Sequence, residues 1–138
     1  MKKETFFSLI ASLFIIILVG ASCSGKEYFK SPHANIGGYV IGNETCNTDV
    51  TQNYWLLDFT VYPNSPQIGD TLFLNGMTYT NVLKVKGLDA SLKKIGMRVS
   101  IDYDVVTPGK VITNGCTVSN PITYDLKEIS IINQGEIR

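Results

Sequence analysis

Histidine is almost missing from this sequence, and its one histidine stands near the front of the chain. The region from Ile36 to Arg138 contains no histidine, because the single one is His33. A Ser-His-Asp or Cys-His catalytic arrangement within that region is therefore excluded. Asp102 and Asp104 alternate along one predicted strand, and this spacing is typical of a solvated strand face rather than of acid–base chemistry. An enzyme is the least expected class of function, and no catalytic residue is predicted.

The chain also lacks an excess of either charge. Twelve Lys and Arg residues face twelve Asp and Glu residues, so the formal net charge is +0. Nucleic-acid-binding proteins usually carry a basic stripe that matches the phosphates, and this sequence has none. Nucleic acid is therefore excluded as a partner.

Only one long apolar run occurs, at the N-terminus. Residues 6–19 follow Lys2 and Lys3 and precede three small residues and Cys23. A charged start, an apolar stretch too short for a comfortable membrane span and small residues before a cleavage point indicate a secretory signal peptide. Ordinary cleavage after Ala21 and an uncleaved membrane anchor remain alternatives.

The cysteine after the small residues makes this segment resemble a bacterial lipoprotein signal. The resemblance implies that Cys23 is lipidated and becomes the mature N-terminus. It also implies a lipid anchor in the outer membrane of a Gram-negative bacterium, with the domain facing the periplasm or the outside. The predicted organisation is a lipoprotein signal peptide over residues 1–22, a polar tether over 23–35 and one domain over 36–138.

Three cysteines leave one pair once Cys23 carries lipid. Exported proteins meet an oxidising compartment, so Cys46 and Cys116 are predicted to form a disulfide. The alternative is a metal site that includes His33. No Cys-x-x-Cys spacing occurs, and a closed zinc site needs four ligands, so no metal or cofactor is expected.

The region from residue 36 onward has the alternation of a mostly β domain. Asn75-Gly76 between apolar segments predicts a type I′ hairpin over residues 71–80. Asp89 as N-cap, Leu88, Leu92 and Ile95 on one face, and Gly96 as the stop predict one short helix. The predicted strands are Gly37–Thr45, Tyr54–Val61, Thr71–Leu74, Met77–Thr80, Val82–Lys86, Met97–Val105 and Ile122–Asn133, the last with a β-bulge near Lys127.

This order of elements resembles the OB-fold, a five-stranded Greek-key barrel with a helix between its third and fourth strands. The expected fold is a five-to-six-stranded OB-like barrel with one short helix. Gly96-Met97-Arg98-Val99, Cys116 and the segment 124–132 also resemble small Bacteroidota lipoprotein domains, many of which have no assigned activity. In the OB arrangement, Cys46 and Cys116 lie in the two loops that flank the usual ligand face, and their disulfide would staple those loops together.

The two loops are rich in amides and hydroxyls, which suit carbohydrate binding and equally suit plain turns. The candidate ligand-binding residues are Asn47, Gln52, Asn53, Asn114 and Asn120. Asp70-Thr71-Leu72 is similar to a Bacteroidota O-glycosylation motif, which makes Thr71 a candidate modification site. The expected function is a non-catalytic binding or accessory module of the cell envelope, with a glycan as one candidate ligand. The alternative is a protein-interaction subunit or an inhibitor of a hydrolase.

Overall fold

The computed structural model describes residues 33–63 and 65–138. The predicted signal peptide, most of the predicted tether and Cys23 lie outside the described residues. The six strands are β1 (His33–Asn43), β2 (Trp55–Asp58), β3 (Asp70–Leu74), β4 (Met77–Val85), β5 (Arg98–Val106) and β6 (Glu128–Glu136), with a 3-10 turn at Val50–Gln52. Because β1 begins at His33, the last three residues of the predicted tether belong to a strand.

All six strands form one sheet, and five of them form a ring of pairings. β1 pairs with β2 and β5, β2 pairs with β4, and β5 pairs with β6. β4 and β6 complete the ring as a parallel pair with only the two partners Lys84–Glu128 and Val85–Ile129, so the barrel is partly open at this seam. The expectation of a mostly β fold with six strands is confirmed, and β3 is an additional strand at the edge of β4.

The predicted hairpin is confirmed at Asn75 and Gly76. Their φ values are 51° and 81°, and both central residues of a type I′ turn require positive φ. Leu74 and Met77 pair directly across the turn. The sequence and the structure therefore agree on the position and the chemistry of this turn.

The predicted short helix is wrong. Leu92 N–H donates to Asp89 O at 2.9 Å and Met97 N–H donates to Lys94 O at 3.0 Å, so the segment consists of turns. Only eight residues separate Gly87 from Gly96, which both have positive φ. A helix this short cannot offset its nucleation cost. Leu88 and Leu92 are buried as expected, whereas Ile95 is 70% exposed.

The last predicted strand begins later than expected. Ile122 and Leu126 make only isolated bridges, with Thr45 and Val111, and β6 starts at Glu128. Lys127 N–H donates to Asp70 Oδ2 at 2.7 Å instead of entering a strand ladder. The predicted change of phase near Lys127 is therefore the start of the strand, and the register shifts of β6 lie further on, opposite residues 102–106 of β5.

The core has two parts, one on each face of the sheet. The larger part fills the barrel with residues that include Val40, Leu57, Phe59 and Ile101, and half-buried Trp55 packs against it. The smaller part lies on the opposite face, where β3 covers it, and its members are Ile41, Leu56, Leu72, Val82 and Leu126. In the described part of the chain no helix is long and apolar enough to cross a membrane.

Candidate functional site

The predicted disulfide between Cys46 and Cys116 is confirmed. Their Cα atoms lie 4.5 Å apart across a sequence separation of 70 residues. Around it, Cys46 O accepts the N–H of Thr117 at 2.8 Å, and Thr45 and Ile122 exchange two backbone hydrogen bonds of 2.9 and 3.0 Å. We call residues 44–54 and 107–127 the stapled loops, because these contacts hold the two segments together.

The predicted ligand-binding amides have different environments within the stapled loops. Asn53 is 4% exposed, and its Oδ1 accepts the N–H groups of Cys46 at 3.0 Å and Asn47 at 2.7 Å. Its Nδ2 donates to Asn47 O at 3.3 Å, so Asn53 fixes the shape of the first loop. Gln52, Asn114 and Asn120 are exposed, and their side chains are accessible to a ligand.

Beneath the stapled loops lies an ion pair that the sequence did not predict. Lys84 Nζ is 3.2 Å from Glu44 Oε1, and both side chains have 0% exposure. Lys84 Nζ also donates to Thr113 Oγ1 at 2.9 Å and Tyr124 O at 3.0 Å. Glu44 accepts from Thr113 Oγ1 at 2.7 Å and from Tyr124 N–H at 2.9 Å. The pair thus joins β4 and the first stapled loop to the second stapled loop.

Tyr54 lies beside this ion pair. Lys84 Nζ and Lys86 Nζ lie 4.7 and 4.6 Å from the centre of its ring, within cation–π range. Burial raises the pKa of Tyr54 to about 12, and the Glu128 carboxylate adds to the shift through its charge and a hydrogen bond. Tyr54 therefore stays neutral well above its usual titration range.

A groove of about 310 Å³ lies between the barrel and the β3–β4 hairpin. We call it the hairpin groove. Three of its large apolar side chains are well exposed: Val61 at 61%, Met77 at 57% and Ile95 at 70%. The residues that line it are Tyr39, Val40, Ile41, Asp58, Val61, Asn75, Met77, Tyr79, Ile95 and Gly96. The hairpin contributes Asn75 of its turn and Met77 and Tyr79 of β4 to the lining, and the other walls come from β1, the end of β2 and the segments around Val61 and Ile95.

A stacked pair of tyrosines forms the rim of the hairpin groove. The rings of Tyr39 and Tyr62 lie 5.7 Å apart at 26°. Gly37 allows this arrangement, because a Cβ there would come within 2.9 Å of the Tyr62 ring. Arg98 Nε donates to the Tyr62 hydroxyl at 2.9 Å, and Arg98 pairs with Tyr39 in the ladder. The rim thus carries a guanidinium group beside two aromatic rings.

A second concavity, of about 370 Å³, lies on the outer face of β1, β5 and β6. We call it the polar cup, and Asn35, Ser100, Asp102, Asn133, Gln134 and Gly135 line it. Asp102 is half-buried and accepts the N–H of Asn35 at 2.6 Å, whereas Asp104 is exposed and does not line the cup. The two aspartates predicted to share a solvated face therefore differ in their surroundings.

Thr71 is exposed on β3, where the pairing with β4 shifts register. The neighbouring Asp70 accepts the N–H of Lys127 at 2.7 Å, and its Oδ1 lies 3.9 Å from Lys127 Nζ. Among residues 33–63 and 65–138 no group of three or more His, Cys, Asp or Glu side chains is placed to hold a metal ion.

The groove and the cup were missed at the level of sequence, because each gathers residues that are far apart in the chain. Tyr39, Val61, Met77 and Ile95 come from four separate segments. The local pattern was misleading for Ile95, which it assigned to the same helix face as Leu88 and Leu92. No protein-family model, curated protein or solved structure matches this chain.

Proposed function

We propose that this chain is a non-catalytic binding module of the bacterial cell envelope, anchored by lipid at Cys23, which binds a protein partner through the hairpin groove. The observation that carries the proposal is the exposure of Val61, Met77 and Ile95 within one concave surface. Contiguous exposed apolar surface is costly in water, and it marks interaction sites in soluble domains. The partner segment we propose is extended and apolar.

The charges around the groove indicate one further property of the partner. Asp58 lies at the base but is 2% exposed, and its carboxylate accepts two hydrogen bonds from Thr60. Arg98 is exposed at the rim, and among the described residues no carboxylate lies within salt-bridge distance of it. We therefore expect the partner segment to place an acidic side chain beside Arg98.

The hairpin that forms one wall of the groove is held in place before any partner binds. Asn81, with 0% exposure, accepts the N–H groups of Ile68 at 3.1 Å and Gly69 at 2.7 Å and donates to Pro66 O at 3.0 Å. Asp70 holds the start of β3 against Lys127. A groove with fixed walls loses little conformational entropy on binding, which supports a role in recognition.

The proposed anchor keeps the domain close to the membrane. Nine residues separate Cys23 from His33, the first residue of β1. Fully extended, this stretch reaches roughly 35 Å at most. A partner of the module is therefore another protein at the same envelope surface, and acyl chains on Cys23 would hold the domain there durably.

Site-specific photo-crosslinking in the native envelope tests the groove. A photoreactive residue at Met77 or Ile95 is expected to give a crosslinked protein adduct, and Arg98→Glu in the same chain is expected to weaken it. The matched control is a photoreactive residue at Phe73, which is 71% exposed on the same hairpin but does not line the groove. Equal adducts from Phe73 and Met77, or none from Met77 and Ile95, would contradict the proposal.

Membrane fractionation tests the anchor separately. Cys23→Ser is expected to release the protein into the soluble fraction, with Cys46→Ser as the control that keeps the lipid. A Cys23→Ser chain that remains unprocessed in the membrane would mean that residues 6–19 act as a transmembrane anchor instead.

A further inference from the structure

We infer that the polar cup is a second binding site, which takes a neutral, hydroxyl-rich ligand of the saccharide class. This inference goes beyond the proposed partner site, because the cup shares no lining residue with the hairpin groove. It also differs from the stapled loops, where the sequence analysis placed its candidate ligand-binding amides.

The hydrogen-bonding groups of the cup match vicinal hydroxyl groups. Oδ1 of Asn35 accepts Ser100 Oγ at 2.6 Å, and Oδ1 of Asn133 accepts the N–H of Gln134 at 3.0 Å. Both side-chain NH₂ groups are then donors that a ligand can use, while Asp102 Oδ2 offers an acceptor. Each hydroxyl of a sugar both donates and accepts, so amide and carboxylate groups side by side suit it.

The lining side chains are held in position without a ligand. Asn35 has a φ of 60°, and it is fixed through its N–H to Asp102 Oδ1 at 2.6 Å and through its side chain to Ser100. Gln134 pairs with Ile101, so its side chain, which bonds to Asp89 N–H and Gly87 O, lies on the other face of the sheet, and Gln134 lines the cup through its backbone. Groups that are already ordered lose less entropy when a ligand binds.

Gly135 provides the space in the cup. It pairs with Ser100, so a side chain at this position would project from the same face of the sheet as Ser100. A Cβ built there meets no atom within 4 Å, and Gly135 does not have the positive φ of the turn glycines. A larger residue at position 135 would therefore fill the cup without straining the backbone.

The charges of the lining exclude the other simple ligand classes. Asp102 is the one ionisable side chain among the lining residues, and no Lys or Arg belongs to them. An anionic ligand would face the carboxylate without a compensating cation. A calcium ion takes six to eight oxygen ligands, usually with several carboxylates, which a single aspartate does not supply. A neutral polyol fits the remaining chemistry.

The test is binding of a defined saccharide panel to the full-length protein, purified in a detergent without a sugar headgroup. The panel contains glucose, galactose, mannose, N-acetylglucosamine and their linear oligosaccharides, and the readouts are calorimetry and NMR shifts of isotope-labelled protein. At least one member is expected to bind and to shift the amides of Ser100, Asn133 and Gly135. Absence of binding across the panel, or shifts confined to other residues, would overturn the inference.

Two variants and two controls sharpen the result. Gly135→Val is expected to lower the affinity for the saccharide about tenfold or more, because the new side chain occupies the cup. Asp102→Asn, which keeps the shape but removes the charge, is expected to weaken it about tenfold. Gly109→Val is the matched control, since a Cβ at Gly109 also meets open space without a positive φ. Wild-type affinity in Gly135→Val would overturn the inference.

Met77→Glu separates the two proposals. This change alters the hairpin groove only. It should therefore abolish the crosslink from a photoreactive residue at Ile95 to the protein partner and leave saccharide binding unchanged. A calcium titration is the final control. If calcium shifts the NMR signals of the cup amides and no saccharide does, the ligand of the cup is a cation and the inference is wrong.

Discussion

Lys84 Nζ and Glu44 Oε1 lie 3.2 Å apart in the interior of the domain, and neither side chain is exposed to solvent. Thr113 bridges the two groups, since its hydroxyl accepts from Lys84 and donates to Glu44. Every hydrogen bond of this network connects the barrel to a stapled loop or one stapled loop to another. The ion pair and the disulfide therefore both hold the two stapled loops together, one through charge and the other through a covalent bond.

Replacement of Lys84 by Met is expected to destabilise the domain strongly. The change leaves the Glu44 carboxylate buried without its cation, and breaking a buried pair in this way costs about 3–5 kcal/mol. Chemical unfolding of the purified protein measures the loss. The control is Lys127→Met, since Lys127 is 30% exposed and 3.9 Å from Asp70, and an exposed pair contributes about 0–1 kcal/mol. Equal losses in the two variants would contradict the assigned role of burial.

Removal of the disulfide is expected to lower stability by a comparable amount. Closing a loop across 70 residues stabilises the native state by about 4 kcal/mol on the chain-entropy treatment. The double variant Cys46→Ala with Cys116→Ala should unfold at lower denaturant concentration, and reduction of the wild-type protein should reproduce the change. Two thiols that react with an alkylating agent in the folded, unreduced protein would contradict the bond itself.

The stability of the domain is expected to fall at strongly alkaline pH because of Tyr54. Its pKa in the folded protein is about 12, against 10.0 for the unperturbed group. Below pH 10 Tyr54 is protonated in both the folded and the unfolded state, and its contribution to the free energy of unfolding is fully present. As the pH rises toward the higher value the unfolded chain loses the proton first, so the free energy of unfolding decreases.

Tyr54→Phe should remove this part of the loss of stability at alkaline pH, while the aromatic ring that faces Lys84 and Lys86 remains. Ultraviolet titration of tyrosinate in the wild-type protein measures the raised pKa directly. Glu128→Gln is the companion variant, and it should move the pKa of Tyr54 back toward its usual range because the nearby negative charge is gone. An unchanged pKa of Tyr54 in Glu128→Gln would contradict the contribution of the Glu128 carboxylate to the shift.

Substitution of Gly69 by Ala is expected to destabilise the hairpin. A Cβ at this position would lie 2.6 Å from the backbone nitrogen of Val82 and 2.7 Å from its oxygen. The strand backbone of β4 cannot move away cheaply, so the loop before β3 must shift and lose the hydrogen bonds to Asn81. Gly109→Ala, which meets no neighbour, is the control for chemical unfolding. A stability equal to that of Gly109→Ala would contradict the close approach.

Features encoded by neighbouring residues were predictable from the sequence. The Asn75-Gly76 turn follows from two residues that tolerate positive φ, and β5 follows from strict alternation of apolar and polar side chains. The pairing of Cys46 with Cys116 was predicted from the number of cysteines and from the expected export to an oxidising compartment.

Features that depend on distant partners were not predictable in the same way. Lys84 lies in a strand, where a charged side chain usually indicates the solvent face. Its burial depends on Glu44 and Tyr124, which are each 40 residues away in sequence. Asn53 appeared as a free amide for a ligand, but its bonds to Cys46 and Asn47 make it part of the loop. Only the folded arrangement shows which polar groups have partners.

The double pairing of β1 has a mechanical consequence. Its first part pairs with β5 from His33 to Tyr39, and its second part pairs with β2 from Tyr39 to Asn43. Hydrogen bonds between antiparallel strands run perpendicular to the strands. A pull on the residues before His33 therefore acts along β1 and loads many of these bonds at once, in shear. A domain held at this end therefore resists force until many of these bonds break together.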